Sequence, residues 1–299
     1  MTAFRLAFAA LALSALPALA DDLPRIAVIS AFEPEWVSLQ GDLKDPVEET
    51  VNGNRFITGT LSGKPVVLFL SGVSMVNAAM TTQLALDRFH IEAIVFSGIA
   101  GGVDPDLHIG DVVVANQWGN YLESIMARET DGRFAIPAFL KSPFPNYGMI
   151  FSSETTVASG RGDPETRFWF PADPALLETA AKVAESTDLA DCNAQNACLA
   201  HKPKVIVGGN GVSGSAFVDN AGLREWISAT FQAQVVDMES ASVAQVAWAN
   251  QVPFIAFRSL SDLAGGGEGE NEMGTFMSLA SDNSALVVER FLAELPAKP

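Results

Sequence analysis

The sequence predicts an α/β protein, a three-layer α/β/α sandwich around a mixed, mostly parallel twisted sheet. Short apolar, β-branched runs alternate with longer helical segments from about residue 25 to residue 295. Such alternation is typical of parallel sheets that helices cover on both faces. Several runs end in small residues or in carboxylates, and ligands of open α/β sheets bind outside the carboxyl ends of the strands. The same pattern therefore predicts where a ligand would bind.

Residues 1–20 have the layout of a secretory signal peptide. Arg5 precedes a short apolar core, and a small-residue ending at Ala20 stands before two aspartates. The uncharged run is shorter than the roughly 20 residues that a membrane-spanning helix needs. We therefore expect cleavage after Ala20, a periplasmic or secreted protein, and a single domain over 21–299.

Charge narrows the range of partners. The formal net charge of −17 at pH 7 argues against nucleic acids and anionic membranes, which require clustered Lys and Arg. No second apolar run reaches membrane length. We therefore expect a soluble processed protein whose partners include neither nucleic acid nor membrane.

The first predicted strand, Arg25–Ser30, is followed by the sequence AFEPEW, which turns into a helix. Pro34 suits a first helical position, and the helix dipole favours acidic residues in a first turn. Glu35 also follows the carboxyl end of this strand, where it would face the ligand crevice. The elements predicted next are strands over 55–61, 65–70, 93–96 and 111–115 and a helix over 75–89.

Small residues follow two strand endings, SGVS at 71–74 and SGIAGG at 97–102. Small residues let the backbone approach a ligand closely, but neither sequence matches the dinucleotide motif G-x-G-x-x-G. The pattern then loosens over about 118–204 into a variable, loop-rich insertion with one helix over 174–185. We expect its loops to cover the end of the sheet. Six of its aromatic residues are candidates for pocket walls, although core packing is the more common role for any one of them: Trp118, Tyr121, Tyr147, Phe151, Phe168 and Trp169.

The insertion holds both cysteines, Cys192 and Cys198. In an oxidising compartment neighbouring cysteines form a local disulfide, which would stabilise the fold by about 2 kcal/mol. A zinc site with His201 is the competing interpretation, but it lacks a fourth ligand and the usual cysteine spacing. We predict the disulfide and no metal.

The stretch 234–264 reads as strand, helix, strand. The first apolar run ends in Asp237 and Glu239, and the second ends in Arg258 and then Asp262. Glu239 and Asp262 would therefore stand at the mouth of one pocket, where two carboxylates suit acid and base chemistry. The elements predicted around this stretch are a strand over 204–208, a small-residue loop over 209–219, a helix over 220–228, a flexible loop over 265–269 and a helix over 275–295.

Several segments in this order carry a family resemblance: SGVSMVNAAMTTQLALDRF, SGIAGG followed by IGDVVVA, SGSAFVDN, VVDMESASVAQVAWANQVPFIAFRSLSDLA and FMSLASDNSALVVERFL. Together they resemble the 5'-methylthioadenosine/S-adenosylhomocysteine nucleosidases of the purine nucleoside phosphorylase superfamily. The match runs in register from about residue 25 to residue 295 and is weak across 118–204. The middle section and GGNGVSGSAFVDNAG also resemble the plant bark storage proteins.

The resemblance implies a role for each matching residue. Asp262 would protonate the purine at N7 and hydrogen-bond the 6-amino group, which implies adenine-type bases. Glu239 would hold the ribose hydroxyls, and Glu35 would activate water. Phe217 would stack on the purine, and Val218 would supply backbone hydrogen bonds. The other residues assigned to substrate binding are Ala100, Gly101, Met238, Arg258 and Ser261.

The chemistry of N-glycoside cleavage agrees with these roles. The sugar becomes oxocarbenium-like, so a carboxylate near the ribose stabilises charge that develops in the transition state. The base leaves as an anion unless it is protonated, and Asp262 can protonate it near neutral pH only if burial raises its pKa. Because Arg258 would lower that pKa, we expect it to pair elsewhere and to orient Glu239.

Ile99 departs from the family pattern, since the nucleosidases place a small hydroxyl residue there, near the water. Neither SGVS nor SGIAGG contains the cations that a phosphate site needs, and Glu35 would repel a phosphate dianion. Hydrolysis is therefore favoured over phosphorolysis.

We predict an exported purine nucleosidase that releases adenine from methylthioadenosine, S-adenosylhomocysteine or adenosine-like substrates. The alternatives are a phosphate-dependent phosphorylase and a non-catalytic periplasmic binding or storage protein. Glu35, Glu239 and Asp262 together favour catalysis, whereas Ile99 and the storage-like middle favour binding. The superfamily suggests a homo-oligomer, most often a dimer, with neither metal nor organic cofactor.

Overall fold

The computed structural model describes residues 23–267 and 269–296. The predicted signal peptide, 1–20, lies outside the described residues. Within them, no helix is both long and apolar enough to cross a membrane.

Eighteen strands and six helices follow one another along the described residues. The strands are β1 (Arg25–Ser30), β2 (Lys44–Val51), β3 (Asn54–Leu61), β4 (Lys64–Leu70), β5 (Ile91–Gly102), β6 (Val112–Val114), β7 (Gln117–Asn120), β8 (Ser124–Met126), β9 (Arg128–Thr130), β10 (Arg133–Ala135), β11 (Ile150–Ser152), β12 (Thr155–Ser159), β13 (Gly162–Arg167), β14 (Trp169–Pro171), β15 (Val205–Val207), β16 (Asn210–Ser213), β17 (Ala233–Asp237) and β18 (Phe254–Asp262). The helices are α1 (Glu33–Asp42), α2 (Met75–Arg88), α3 (Pro174–Ala184), α4 (Ala221–Phe231), α5 (Ser240–Ala249) and α6 (Met273–Glu294).

A twelve-stranded mixed sheet forms the middle layer of the described residues. Its main path runs β14-β7-β16-β17-β5-β1-β4-β3-β2, and β18, β6 and β15 branch from β5. Strands β4, β1, β5 and β18 are parallel neighbours, whereas β2, β3 and β4 form an antiparallel meander. One apolar core lies under α2 and α5, and a second lies under α1, α3 and α6 on the opposite face. The predicted three-layer α/β/α sandwich with a mixed sheet is confirmed.

The two longest central strands, β5 and β18, position the site. Both are buried along almost their whole length, as expected of strands covered on both faces. Residues 97–102, predicted to follow a strand that ends at residue 96, instead continue β5 to Gly102. Gly101 is paired with Val236 of the antiparallel β17 and with Asp262 of the parallel β18. The ends of both carboxylate-bearing strands therefore meet at one glycine.

Two sequence predictions fail in the sheet. Residues 210–213, predicted as a loop, form the buried strand β16, and β2 was not predicted because its side chains are mostly exposed. The insertion over 118–204 is also more regular than predicted. It supplies β7 and β14 to the sheet and forms three small antiparallel pairs, β8 with β11, β9 with β10, and β12 with β13. These strands are too short and too exposed to show a period in the sequence.

The cysteine loop packs against the last helix. Cys192 and Cys198 are joined in a disulfide, and His201 stacks on His108 at 3.9 Å between ring centroids. The side chain of Asn283 in α6 accepts a hydrogen bond from the Ala190 amide and donates one to the Ala190 carbonyl, each at 2.9 Å. This places the loop beside α6.

Candidate active site

A cavity of about 260 Å³ opens where β5, β17 and β18 end. Nine of the ten predicted catalytic and binding residues line it, and Arg258 does not. The lining residues that were predicted are Glu35, Ala100, Gly101, Phe217, Val218, Met238, Glu239, Ser261 and Asp262. The lining residues that were not assigned a site role are Ala31, Phe32, Val73, Ile99, Ala216, Val236, Asp237 and Met273.

None of the six aromatic candidates of the insertion lines the described cavity, so the pocket-wall role, which the sequence favoured less than packing, is not found. Trp118 belongs to the core under α5. Tyr121 lies edge-on to Trp226 of α4, and Phe168 stacks on Phe231 of the same helix. Tyr147 contacts Trp226 on the outer side of α4. The insertion therefore forms packing at the sheet edge and no wall of this cavity.

Glu35 is held by backbone amides from two elements. The Ala31 amide donates to Oε2 at 2.5 Å, and the Ile99 amide of β5 donates to Oε1 at 2.8 Å. Burial raises the pKa of Glu35, against the lowering effects of Arg258 and of these amides. The main chain of Ile99 therefore orients Glu35, while its side chain forms part of the wall.

Arg258 was predicted to bind substrate. In the structure it is fully buried and lies behind the cavity wall. Its Nε is 2.8 Å from Oδ2 of Asp237, its Nη2 is 3.6 Å from Oε2 of Glu239, and its Nη1 is 3.7 Å from Oε1 of Glu35. Its guanidinium carbon also lies 3.9 Å from the ring centroid of Phe96. One cation is thus shared among three carboxylates, and the contact with Glu239 agrees with the expected pairing away from Asp262.

Glu239 precedes α5 and faces the loop after β4. The Ser74 amide donates to its Oε1 at 2.7 Å, and Ser74 adopts a φ of 80°, which is uncommon for a residue with a side chain. Burial, with a further contribution from Asp237, raises the pKa of Glu239 to about 8 although Arg258 opposes the shift. Strained backbone of this kind is concentrated at ligand-binding sites.

Asp237 is the central residue that sequence reasoning left without a role. The Ser213 and Ser240 hydroxyls each donate a hydrogen bond to one of its carboxylate oxygens. The Ser213 hydroxyl also accepts from the Ala241 amide at 2.8 Å. The sequence does contain a pattern that could have identified Asp237, because this residue ends an apolar strand just as Asp262 does.

Asp262 has its own set of partners, separate from Arg258. The Ala264 amide donates to Oδ1 at 2.8 Å, and the Ser261 hydroxyl donates to Oδ2 at 2.9 Å. The Asn271 side chain approaches Oδ1 at 3.4 Å. Burial raises the pKa of Asp262, and the negative charge of Asp219 raises it further, against these hydrogen bonds. The carboxyl group is therefore biased towards its protonated form.

The cavity thus combines the buried acid Asp262, whose pKa is raised mainly by burial, with three further buried carboxyl groups, Glu35, Asp237 and Glu239. A group that keeps its proton near neutral pH can donate it to a leaving group, and a neighbouring carboxylate can accept a proton from water or stabilise positive charge. The described lining includes no Lys, Arg or His. The arrangement suits cleavage of a bond that leaves a cationic carbon and a basic nitrogen.

Comparisons with known proteins agree with this chemistry. The family profile described as Phosphorylase superfamily matches residues 25–293. The chain is 30% identical over 269 residues to a 5'-methylthioadenosine/S-adenosylhomocysteine nucleosidase of Marinomonas sp., with 89% of this chain and 97% of the relative covered. It is 29% identical over 272 residues to the nucleosidase of the same name from Bacillus licheniformis, with 91% and 99% covered.

A solved structure is also similar. The Neisseria meningitidis 5'-methylthioadenosine/S-adenosylhomocysteine nucleosidase in complex with methylthio-immucillin-A superimposes with a TM-score of 0.68 at 25% identity. The match covers 91% of this chain and 100% of that one. The similarity therefore extends over the whole sheet and both helical layers.

Proposed function

The chain belongs to the 5'-methylthioadenosine/S-adenosylhomocysteine nucleosidases, a family of N-glycosyl hydrolases within the phosphorylase superfamily, and we propose that it hydrolyses an adenine nucleoside to adenine and the free ribose derivative. The observation that carries this proposal is the buried carboxyl group of Asp262, which faces the cavity together with Glu35 and Glu239. A protein that only bound a nucleoside would gain little from four buried acids at one cavity, Glu35, Asp237, Glu239 and Asp262.

Asp262 acts as the general acid. Its raised pKa, caused mainly by burial, keeps a proton available when the bond between ribose and base breaks. Transfer of that proton to the departing base leaves a neutral purine and an aspartate that Ser261 and the Ala264 amide stabilise. Protonation by Asp262 is therefore useful because the base would otherwise leave as an anion.

Glu239 and Glu35 act on the sugar side. Ribose hydroxyls that donate to Glu239 favour its ionised form, and the carboxylate then stabilises the oxocarbenium-like sugar. Glu35, whose pKa burial also raises, removes a proton from the attacking water. A base with a pKa raised towards neutrality is well matched to that task.

Water is favoured over phosphate as the nucleophile. A phosphate dianion requires cationic or amide-rich surroundings, and the nearest guanidinium, that of Arg258, already faces three carboxylates behind the wall. Glu35 stands at the wall itself and would repel the dianion. The enzyme should therefore work without phosphate.

The 5' substituent should be apolar. Val73 precedes the Ser74 amide that contacts Glu239, and Phe32 precedes the helix that carries Glu35. Both line the cavity, as does Met273. Apolar walls near the sugar side favour a thioether substituent over a free hydroxyl, and methylthioadenosine is accordingly the preferred candidate.

A second copy of the chain is the proposed partner. Val76 and Met80 lie one helical turn apart on α2 with 72% and 62% of their surface exposed, and Phe217 at the cavity mouth is 57% exposed. This apolar face is continuous with the cavity through Val73, so a second copy would both bury it and close the mouth. Sedimentation of the wild-type protein and of Val76→Lys tests this, and a monomeric wild type would contradict it.

Export with removal of residues 1–20 remains part of the proposal. The Cys192–Cys198 disulfide supports it, because such bonds persist in oxidising compartments. Fractionation of cells with amino-terminal sequencing of the product tests it. A product that retained Met1 in the cytoplasm would contradict it.

The decisive experiment measures release of the free base, which is adenine from methylthioadenosine and adenosine and hypoxanthine from inosine, each with and without phosphate. We expect release without phosphate, fastest from methylthioadenosine and slowest from inosine, which lacks the 6-amino group. Dependence on phosphate would indicate a phosphorylase. Binding of adenine without any release would indicate a non-catalytic protein and contradict the proposal.

A further inference from the structure

One amide side chain bridges two carboxylates at the edge of the cavity. Nδ2 of Asn271 donates to Oδ1 of Asp219 at 3.0 Å and to Oδ1 of Asp262 at 3.4 Å. Its Oδ1 accepts from the Met273 amide at 3.0 Å, in the first turn of α6. Because the oxygen is engaged by a backbone N–H, the amino group is the part of this side chain that faces the two acids.

The loop that carries Asp219 is fixed beside Asp262 by a glycine contact. The Asn220 amide donates to the Ala264 carbonyl at 3.2 Å. Gly265 has a φ of 87°, and a Cβ there would lie 2.2 Å from the Asn220 nitrogen. The loops after β16 and β18 therefore approach this closely because residue 265 is glycine.

We propose that Asn271 and Asp219 are positioning residues for Asp262, which fix Oδ1 as a hydrogen-bond acceptor and thereby place the transferable proton on Oδ2. This proposal rests on the proposed function. Oδ1 receives two N–H donors, from Ala264 and Asn271, so a proton on that oxygen would clash with both. Oδ2 faces the Ser261 hydroxyl, which can turn to the Ala100 carbonyl at 3.4 Å.

The proton transfer balances on these atoms. The Oδ2–H bond breaks and an N–H bond forms on the departing base, while the electron pair of the glycosidic bond passes to the base. The Ser261 hydroxyl then turns from the Ala100 carbonyl to Oδ2 and donates to the new carboxylate. Asn271 keeps its donor on Oδ1 throughout, so the carboxyl group does not rotate.

Asp219 also favours the protonated acid, because a second negative charge beside it is disfavoured. It shares a hydrogen-bond donor with Asp262, unlike the other charged groups that surround this corner. Arg224 on α4 donates through its guanidinium to the carbonyls of Gly102 and Asp104 at 3.0 and 3.3 Å. The charged groups on the elements and loops around this corner include Glu35, Asp219, Arg224, Glu225, Asp237, Glu239, Arg258, Glu270 and Glu272.

The pH profile of adenine release separates this role from a structural one. Asp219→Asn should move the alkaline limb of the kcat profile lower by about one pH unit, because Asp262 loses its proton more readily. The matched control is Asp163→Asn, which removes an exposed carboxylate from β13 and should leave the profile unchanged. Identical limbs in wild type and Asp219→Asn would overturn the proposal.

Asn271→Ser separates bridging from capping. Serine keeps an oxygen that can accept from the Met273 amide but is too short to reach both acids. We expect kcat to fall about tenfold, KM to change less than twofold, and the unfolding midpoint to stay at its wild-type value. Full kcat in this variant would overturn the bridging role.

A titration without turnover keeps this inference distinct from the proposed function. In protein labelled with ¹³C at aspartate carboxyls, the Asp262 signal is identified by its loss in Asp262→Asn. Its midpoint should be lower in Asp219→Asn than in wild type and unchanged in Asp163→Asn. If wild type released no adenine, the proposed function would fail, while an unchanged midpoint in Asp219→Asn would overturn the role of Asp219.

Discussion

Nη1 of Arg258 occupies the place that a side chain at position 98 would take, since a Cβ on Gly98 would lie 1.9 Å from that nitrogen. The same Cβ would lie 2.6 Å from Oε1 of Glu35. The second residue of SGIAGG is therefore glycine so that a guanidinium can reach between buried carboxylates. Gly98 therefore makes room for the ion cluster behind the cavity wall, which consists of Arg258, Glu35, Asp237 and Glu239, rather than for a ligand.

Gly98→Ala should damage both stability and activity. The methyl group must displace Arg258 from its carboxylates, because β5 and β18 leave no free space around position 98. We expect a loss of about 3 kcal/mol in the free energy of unfolding and a fall in kcat of at least a hundredfold. Urea denaturation and adenine release measure the two effects.

Gly274→Ala is the matched control for that substitution. Gly274 lies in the first turn of α6 with nothing within 4 Å of its would-be Cβ, so alanine should be neutral or slightly stabilising. If Gly98→Ala behaved like this control, the role given to Gly98 would be wrong.

Arg258→Met should destabilise the protein most at high pH. Removal of the cation leaves Glu35, Asp237 and Glu239 buried without a counter-charge, which costs about 3–5 kcal/mol. Burial raises the pKa of Glu35 and of Glu239, so these two groups bind protons more readily at pH 5, and the loss should be smaller there than at pH 8. Urea unfolding at both pH values measures the difference, and an equal loss at both would contradict the shared-cation arrangement.

The raised pKa of Glu239 predicts that stability falls as pH rises. The folded protein keeps a proton on this group up to a pKa of about 8, whereas the unfolded chain loses it near the ordinary value of 4.5. Between these values the unfolded state binds fewer protons, so the free energy of unfolding decreases with pH and levels off above about 8. Urea unfolding at intervals from pH 4 to 9 should show this slope.

Glu239→Gln tests the origin of that slope. The amide keeps an oxygen for the Ser74 N–H but does not titrate, so the decrease should be shallower than in wild type. Glu289, whose pKa burial and Asp42 raise to about 7, contributes to the remaining slope. The same slope in both proteins would show that Glu239 is not its source.

Asp262→Asn should abolish turnover and leave binding measurable. Asparagine can accept from the Ala264 amide and contact the 6-amino group through its oxygen, but it cannot give up a proton to the base. We expect kcat to fall roughly a thousandfold, with methylthioadenosine still bound in calorimetry. Loss of binding in a variant that remains folded would contradict the role of Asp262 as acid.

The sequence predicted those features that depend on where a strand ends. Asp262 and Glu239 follow apolar runs that form strands, and a sheet brings the carboxyl ends of its strands together independently of loop conformation. The ion cluster depends instead on side-chain distances between α1, β17 and β18, so the place of Arg258 behind the wall was not predictable. Strand β16 was missed because its Gly211 reads as a loop residue. In the fold that glycine makes room for the ring of Trp118, 2.6 Å from a would-be Cβ.

Ile99→Ser tests whether a hydroxyl at this position matters to catalysis. Glu35 is held by the Ile99 amide, which serine also provides, so kcat should stay within about threefold of wild type. Loss of the buried apolar side chain should lower the free energy of unfolding by about 2 kcal/mol. Adenine release and urea unfolding measure the two effects. A large gain in kcat would mean that water needs a hydroxyl partner at position 99, and that the contact with the Ile99 amide is not sufficient for Glu35 to activate water.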